Sequence, residues 1–242
     1  MQLSSAAQTD IGLIRSENED RLLCADDLRL YAVADGIGGL PGGAEAAATA
    51  VTALLKEARA AHDRGKPLNL ATAIEAANDA VLRLSVKIAP DTGLGTTLCA
   101  LTISEKDKRF HLANVGDSRC YLFRDGRLLQ LTEDDSVENE VLRRRANGED
   151  VVMEDRYRNA LTRCMGQPMP LDVKVITQEL KKGDQLLVCS DGISRLVNDA
   201  EIARRLDASL SPAAVLASLV DEALARGGND NATGVLVRVD EL

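Results

Sequence analysis

Four aspartates, Asp35, Asp117, Asp191 and Asp230, each close a short run of residues, and most stand beside glycine or a small polar residue. The runs are 30–34 before Asp35-Gly36, 112–116 before Asp117, 186–190 before Asp191-Gly192, and 227–229 before Asp230-Asn231. Such patterns predict a carboxylate at a strand end or turn. Hard divalent cations such as Mg²⁺ and Mn²⁺ take oxygen ligands, and strand ends on rigid sheets can converge on them. The four aspartates therefore read as one polynuclear metal site. Asp-Gly is also a common hairpin turn, and the chain holds its own example in Asp125-Gly126, between the strand-like runs 120–124 and 127–131. Asp35-Gly36 differs, because the glycine-rich stretch 37–43 follows it and cannot return at once as a strand. Asp191-Gly192 is followed by a helix start. Four such sites in one chain favour the metal over the turn.

A chain of 242 residues with 45% hydrophobic content can bury a core as one domain of mixed type. The net charge of −9, two Phe, three Tyr and no Trp argue against a nucleic-acid partner. Five cysteines, Cys24, Cys99, Cys120, Cys164 and Cys189, are scattered without a Cys-x-x-Cys pair, so they read as reduced, mostly buried thiols. The first residues lack a basic stretch followed by an apolar core, and no apolar run approaches the ~20 residues of a membrane span. A cytoplasmic protein without membrane or nucleic-acid contacts, acting as a monomer, is the expectation.

The aspartates must be positioned by sheets. Residues 1–35 predict short strands; 44–58 and 70–84 carry helical spacing and meet near Pro67. A hairpin of 96–103 and 110–115 turns at 105–108, and strands continue to Leu131. After a polar, arginine-rich insertion at about 136–165 come strands at 173–180 and 184–189, two helices, and a last strand at 234–239. Asn198 with Glu201 resembles a capping box, Ser211-Pro212 gives an N-cap before proline, and Gly227-Gly228 stops the last helix. Strands in runs with helix pairs between them suggest helices layered outside a two-sheet sandwich, an α+β fold.

Seven stretches then resemble, in order, the PP2C-type (PPM) protein serine/threonine phosphatases: 9–20, 34–39, Gly95-Thr96-Thr97, 114–119, 131–136, Ser190-Asp191-Gly192 and 228–233. The resemblance covers nearly the whole chain. It implies an αββα sandwich of two antiparallel sheets flanked by antiparallel helix pairs, as a single catalytic domain over 1–242 with a flap at about 137–165. The implied activity is hydrolysis of phosphoserine and phosphothreonine, dependent on Mn²⁺ or Mg²⁺. Two core ions are implied, bridged by Asp35, with the Gly36 carbonyl on one and Asp191 and Asp230 on the other. Asp117 would contribute to a third, weaker site sharing Asp191. Glu19 and Asp20 match the acidic pair that orients waters, and Arg15 matches the phosphate-binding arginine.

Physical chemistry agrees with those roles. Clustered carboxylates alone repel a phosphoester dianion, whereas two dications invert the local potential. Two ions ~3.5 to 4 Å apart also share a water and lower its pKa, giving a hydroxide for in-line attack. On spacing alone Arg15 would be a surface ion pair with Glu17 or Glu19; the motif register favours phosphate, which its planar fork fits. Arg143-Arg144-Arg145 reads as a solvated face, and 158–166 resembles the family's flap-closing motif. Where many eukaryotic members carry histidine after the bridging aspartate, this chain has Ile37, and neither His62 nor His111 is expected to be catalytic.

Rival readings are a non-catalytic phosphopeptide binder, which would have lost a metal aspartate, and a calcium loop at 229–234, which has Asn in its first ligand position. The phosphatase reading itself leaves two settings: a dedicated partner-switching enzyme, or one opposing a Ser/Thr kinase, with type VI secretion as a candidate pathway. The partners implied are a phosphorylated protein and that kinase pathway.

Overall fold

The computed structural model describes residues 1–38, 42–168 and 170–242. The predicted glycine-rich stretch after Asp35 falls partly outside them, at 39–41. Among the described residues the strands form two five-stranded antiparallel sheets. The first runs β1 (Gln2–Asp10), β10 (Ala232–Glu241), β9 (Gln185–Cys189), β6 (Arg119–Arg124) and β7 (Arg127–Gln130). The second runs β2 (Arg21–Ala25), β3 (Leu30–Ala34), β4 (Leu98–Ser104), β5 (Arg109–Val115) and β8 (Val175–Glu179).

Side chains alternate across a strand, and here both faces find apolar cover. On β3, Tyr31 and Val33 enter the core between the sheets, with Leu101 and Phe110 opposite Leu186, Val188 and Val237. Leu30, Ala32 and Ala34 point the other way, against α1 (Gly43–Asp63) and α2 (Leu70–Ile88). Leu187 and Leu236 of the first sheet likewise meet α5 (Asp199–Asp207) and α6 (Pro212–Ala225) through Ile202, Leu216 and Leu219. The result is the four-layer αββα sandwich. It explains why antiparallel strands such as 30–34 and 186–189 read as continuous apolar runs, a pattern that elsewhere marks strands covered on both sides. Alanines at 46, 47, 50 and 58 keep the sheet-facing side of α1 thin, so the helix lies close to the sheet.

Local signals fold as predicted. Asp125 and Gly126 both take positive φ, as a two-residue hairpin between β6 and β7 requires. Asn198 and Ser211 cap α5 and α6 by accepting from Glu201 N–H and Ala214 N–H. The capping box is only half formed, because the Glu201 carboxylate turns to Arg226 and Asn198 N–H gets no return bond from it. The last strand is longer than expected, since β10 pairs with β1 along its whole length.

The insertion after β7 holds α3 (Val137–Ala146), capped by Ser136, and an irregular return. Its arginines at 143–145 are exposed, with Arg144 paired to Glu149. The return is pinned. Arg163 binds Asp135 and the carbonyls of Asn114 and Leu171, Met165 is buried and bridges Thr96, and Gly166 N–H donates to Asn78 Oδ1 at 2.7 Å.

Candidate metal centre

Asp35 leaves the end of β3 with its backbone clamped. Its N–H donates to Thr97 Oγ1 at 2.9 Å, and its carbonyl accepts from Thr97 N–H and Thr96 Oγ1. The Gly95-Thr96-Thr97 motif thus sets the height of Asp35 over the sheet. Gly36 has no room for a side chain, because a Cβ would stand 2.4 Å from the Gly43 carbonyl oxygen at the start of α1. Asp117 follows β5 through Gly116, whose positive φ and contact with Thr97 both require glycine. Asp191 opens α4 (Asp191–Ser194), a single turn after β9. Asp230 lies in the turn ahead of β10, within the expectation of a strand end or turn.

These segments meet at one end of the sandwich. A depression of about 220 Å³ is lined by Arg15, Asp35, Gly36, Asp117, Asp191 and Asp230. It adjoins a cleft of about 530 Å³ that shares Arg15, Asp117, Asp191 and Asp230 and is walled on the flap side by Glu138, Arg158 and Asn159. The control Asp125 is not among the lining residues of either.

Crowding of like charge shows in the carboxyls. Burial, then Asp20, Asp191, Asp117 and Asp230, push Asp35 well above the usual carboxylate range. Burial pushes Asp117 up to about 6, with Asp191 adding to it and Arg195 opposing. Asp191 is raised by burial, against the pull of Arg195. Asp20 is buried beneath the group; its Oδ2 accepts from Ser190 Oγ at 2.8 Å, while Oδ1 has no partner. Burial, opposed by its hydrogen bonds, lifts it to about 7. Glu19 is raised by burial while Arg15 draws it down.

Arg15 is not free. Its Nη2 donates to Asp230 Oδ2 at 2.8 Å, and Nη1 stands 3.9 Å from Glu19. The surface-pair alternative therefore had the wrong first partner: the short contact runs across the chain to Asp230. Among the described residues no three acidic, His or Cys side chains close up as a metal cage, and arginines hold three of the carboxylates, Arg15 that of Asp230 and Arg195 those of Asp117 and Asp191. The donor set nevertheless fits hard dications. All side-chain candidates are oxygen, their mutual repulsion calls for positive charge, and Asp20 keeps a buried oxygen unpartnered.

Two positioning residues escaped the sequence reading. Asn231 is buried and binds Glu19 N–H and the carbonyls of Ile11 and Glu17. Arg195 pairs with both Asp117 and Asp191; its only sequence signal is the four-residue spacing from Asp191, which places both on one helix face. The histidines lie elsewhere, His62 and His111 lining a separate cavity of about 210 Å³. Cys99, Cys120 and Cys189 are buried thiols pushed up by burial, the opposite of a reactive thiolate. No helix among the described residues is long and apolar enough to cross a membrane.

Comparison with known proteins agrees with this fold. Residues 15–229 match the protein phosphatase 2C family. The serine/threonine protein phosphatase PstP of Mycobacterium tuberculosis is 36% identical over 98% of this chain, which spans 45% of PstP, under half its length. The serine/threonine phosphatase stp of Listeria monocytogenes is 32% identical over 96% of this chain and 94% of its own. The crystal structure of the PstP catalytic domain in complex with two manganese ions superposes with a TM-score of 0.83 at 33% identity, covering 99% of both chains. With the shared fold and the family motifs in order along it, this chain belongs to the protein phosphatase 2C family.

Proposed function

We propose that this chain is a metal-dependent phosphatase that hydrolyses phosphoserine and phosphothreonine in a protein substrate, as one catalytic domain with a flap at about 137–165. The observation that carries the reading is the meeting of Asp35, Asp117, Asp191 and Asp230, from four separate segments, with Arg15 at one cleft. Asp35, the Gly36 carbonyl, Asp191 and Asp230 would hold two Mn²⁺ or Mg²⁺ ions. Bound there, the ions supply charge neutralisation of the phosphoryl group and acidification of a water.

The chain's own groups do the rest. Arg15 exchanges Asp230 for phosphate oxygens, offering two parallel N–H donors. Glu19, fixed by Arg15, and Asp20, fixed through Ser190, orient water by accepting its protons; Asp20 Oδ1 is the buried oxygen with capacity to hold one. Asp35 is kept rigid by the two threonines, so the ligand set needs little reorganisation as charge develops. The flap residues Arg158 and Asn159 wall the cleft where the polypeptide of the substrate would lie. The counterpart enzyme is a Ser/Thr kinase, in a type VI secretion pathway or another signalling pair.

The test is phosphate release from a phosphothreonine peptide with excess Mn²⁺ and again with EDTA. Release that requires metal is the expected result. Equal release in EDTA, or none with any divalent ion, overturns the proposal.

A further inference from the structure

Arg195 follows Asp191 by one helical turn, and its backbone N–H donates to the Asp191 carbonyl at 2.8 Å. Its guanidinium spans two carboxylates: Nη2 meets Asp117 Oδ2 at 2.7 Å and Nε meets Asp191 Oδ2 at 3.0 Å. Those are the two residues between which a third ion would sit. Asp117 is 6% exposed, and no other hydrogen bond or ion pair to its carboxylate is found among the described residues. A buried carboxylate without a counter-charge is costly, so something positive has to stand there, and in this chain a side chain already does.

We infer that Arg195 is a positioning residue standing in for a third ion, its guanidinium bridging Asp117 and Asp191 so that this chain holds two divalent cations and not three. The inference rests on the proposal that Asp35, Asp191 and Asp230 hold the first two. A guanidinium and a dication draw on the same carboxylate lone pairs, and arginine is always charged, so the exchange is a steric and electrostatic competition that no ordinary pH relieves. Arg195 meets Oδ2 of each carboxylate. Asp191 would serve the core pair through its other oxygen while held, whereas Asp117, buried and paired to the arginine, acts through Arg195. The short α4 turn matters here, since it carries Asp191 and Arg195 on one rigid face and fixes the pairing at both its ends.

The experiment counts bound Mn²⁺ per chain on metal-stripped full-length protein, reading free Mn²⁺ by electron paramagnetic resonance up to saturation. Wild type is expected to take two ions, Arg195→Ala three, and Arg195→Ala with Asp117→Asn two again. Arg195→Lys, which keeps the charge, is expected to stay at two. Wild type taking three ions and Asp117→Asn two would overturn the inference, and so would two ions in Arg195→Ala. If Arg195→Ala does not fold, the wild type and Asp117→Asn still decide, because both are expected at two. No binding by wild type, or two ions retained in Asp35→Asn, sinks the underlying two-ion reading, a result separable from a miscount at Arg195.

Discussion

Asn231 Oδ1 accepts a hydrogen bond from Glu19 N–H at 2.8 Å, tying residues 212 positions apart in the chain. The same side chain donates to the carbonyls of Ile11 and Glu17, so one buried amide lashes the segment carrying Arg15, Glu19 and Asp20 to the turn that carries Asp230. Asn231→Ala removes the partner of three backbone groups, and because Ile11 and Glu17 are exposed the cost falls below the roughly 1–3 kcal/mol each that fully buried groups would carry. The expected outcome is a lower melting temperature together with a higher KM for phosphopeptide, because Arg15 loses its register. Thermal melts and steady-state kinetics check it; unchanged KM in a folded variant would contradict the tie.

Gly192 approaches the same turn from the other side. A Cβ there would fall 1.9 Å from the Asn231 carbonyl oxygen. Gly192→Ala must push α4, and with it Asp191, away from Asp230, so both stability and Mn²⁺ affinity are expected to drop sharply. Gly126→Ala provides the comparison. Its Cβ meets nothing, and only the positive φ resists, at about 1–2 kcal/mol with activity per folded molecule unchanged. Isothermal titration with Mn²⁺ separates the two.

The buried carboxyls give stability a defined pH dependence in metal-free protein. Asp20 titrates at about 7 and Asp117 at about 6, both raised chiefly by burial. A group held above its unfolded value keeps its proton longer in the folded state. The cluster's contribution therefore falls as pH rises from the ordinary carboxylate range to about 7, where the unfolded chain has already let its protons go. Asp20→Asn removes that titration. Urea unfolding in EDTA is expected to show the variant gaining on wild type between about pH 4 and about pH 7, and excess Mn²⁺ is expected to shrink the gap by replacing the proton. A gap independent of pH would contradict the assignment to Asp20.

The flap hangs on Arg163, which joins Asp135 to the carbonyls of Asn114 and Leu171. Arg163→Ala is expected to raise KM for a phosphoprotein several-fold while altering turnover of p-nitrophenyl phosphate less, since the polypeptide also lies along the cleft wall at Glu138 and Arg158. Parallel kinetics on the two substrates check it, with equal effects on both pointing to damage at the metal centre instead.

What was legible in the sequence was what local chemistry determines. Asp125-Gly126 and the caps at Asn198 and Ser211 are settled within four residues of themselves, and their predicted roles hold. The four aspartates stood out because each stands beside glycine or asparagine at the end of a short run. Arg195 was invisible for the opposite reason. One helical turn from Asp191 is an ordinary surface spacing, and only the approach of the Gly116-Asp117 turn from another sheet gives it a second carboxylate. The burial of Asp20 beneath Ser190, and the half-formed capping box at Glu201, whose carboxylate is taken by Arg226 of the next helix, likewise depend on contacts that spacing along one segment does not encode.

On the proposed function, Asp35, Asp191 and Asp230 act as one metal-holding unit. Phosphate release from a phosphothreonine peptide at saturating Mn²⁺ should be compared for wild type and Asp35→Asn, with circular dichroism melts showing both folded. Asp35→Asn is expected to lose turnover by several orders of magnitude while the fold survives; turnover at the wild-type rate would contradict a metal-holding role for these aspartates.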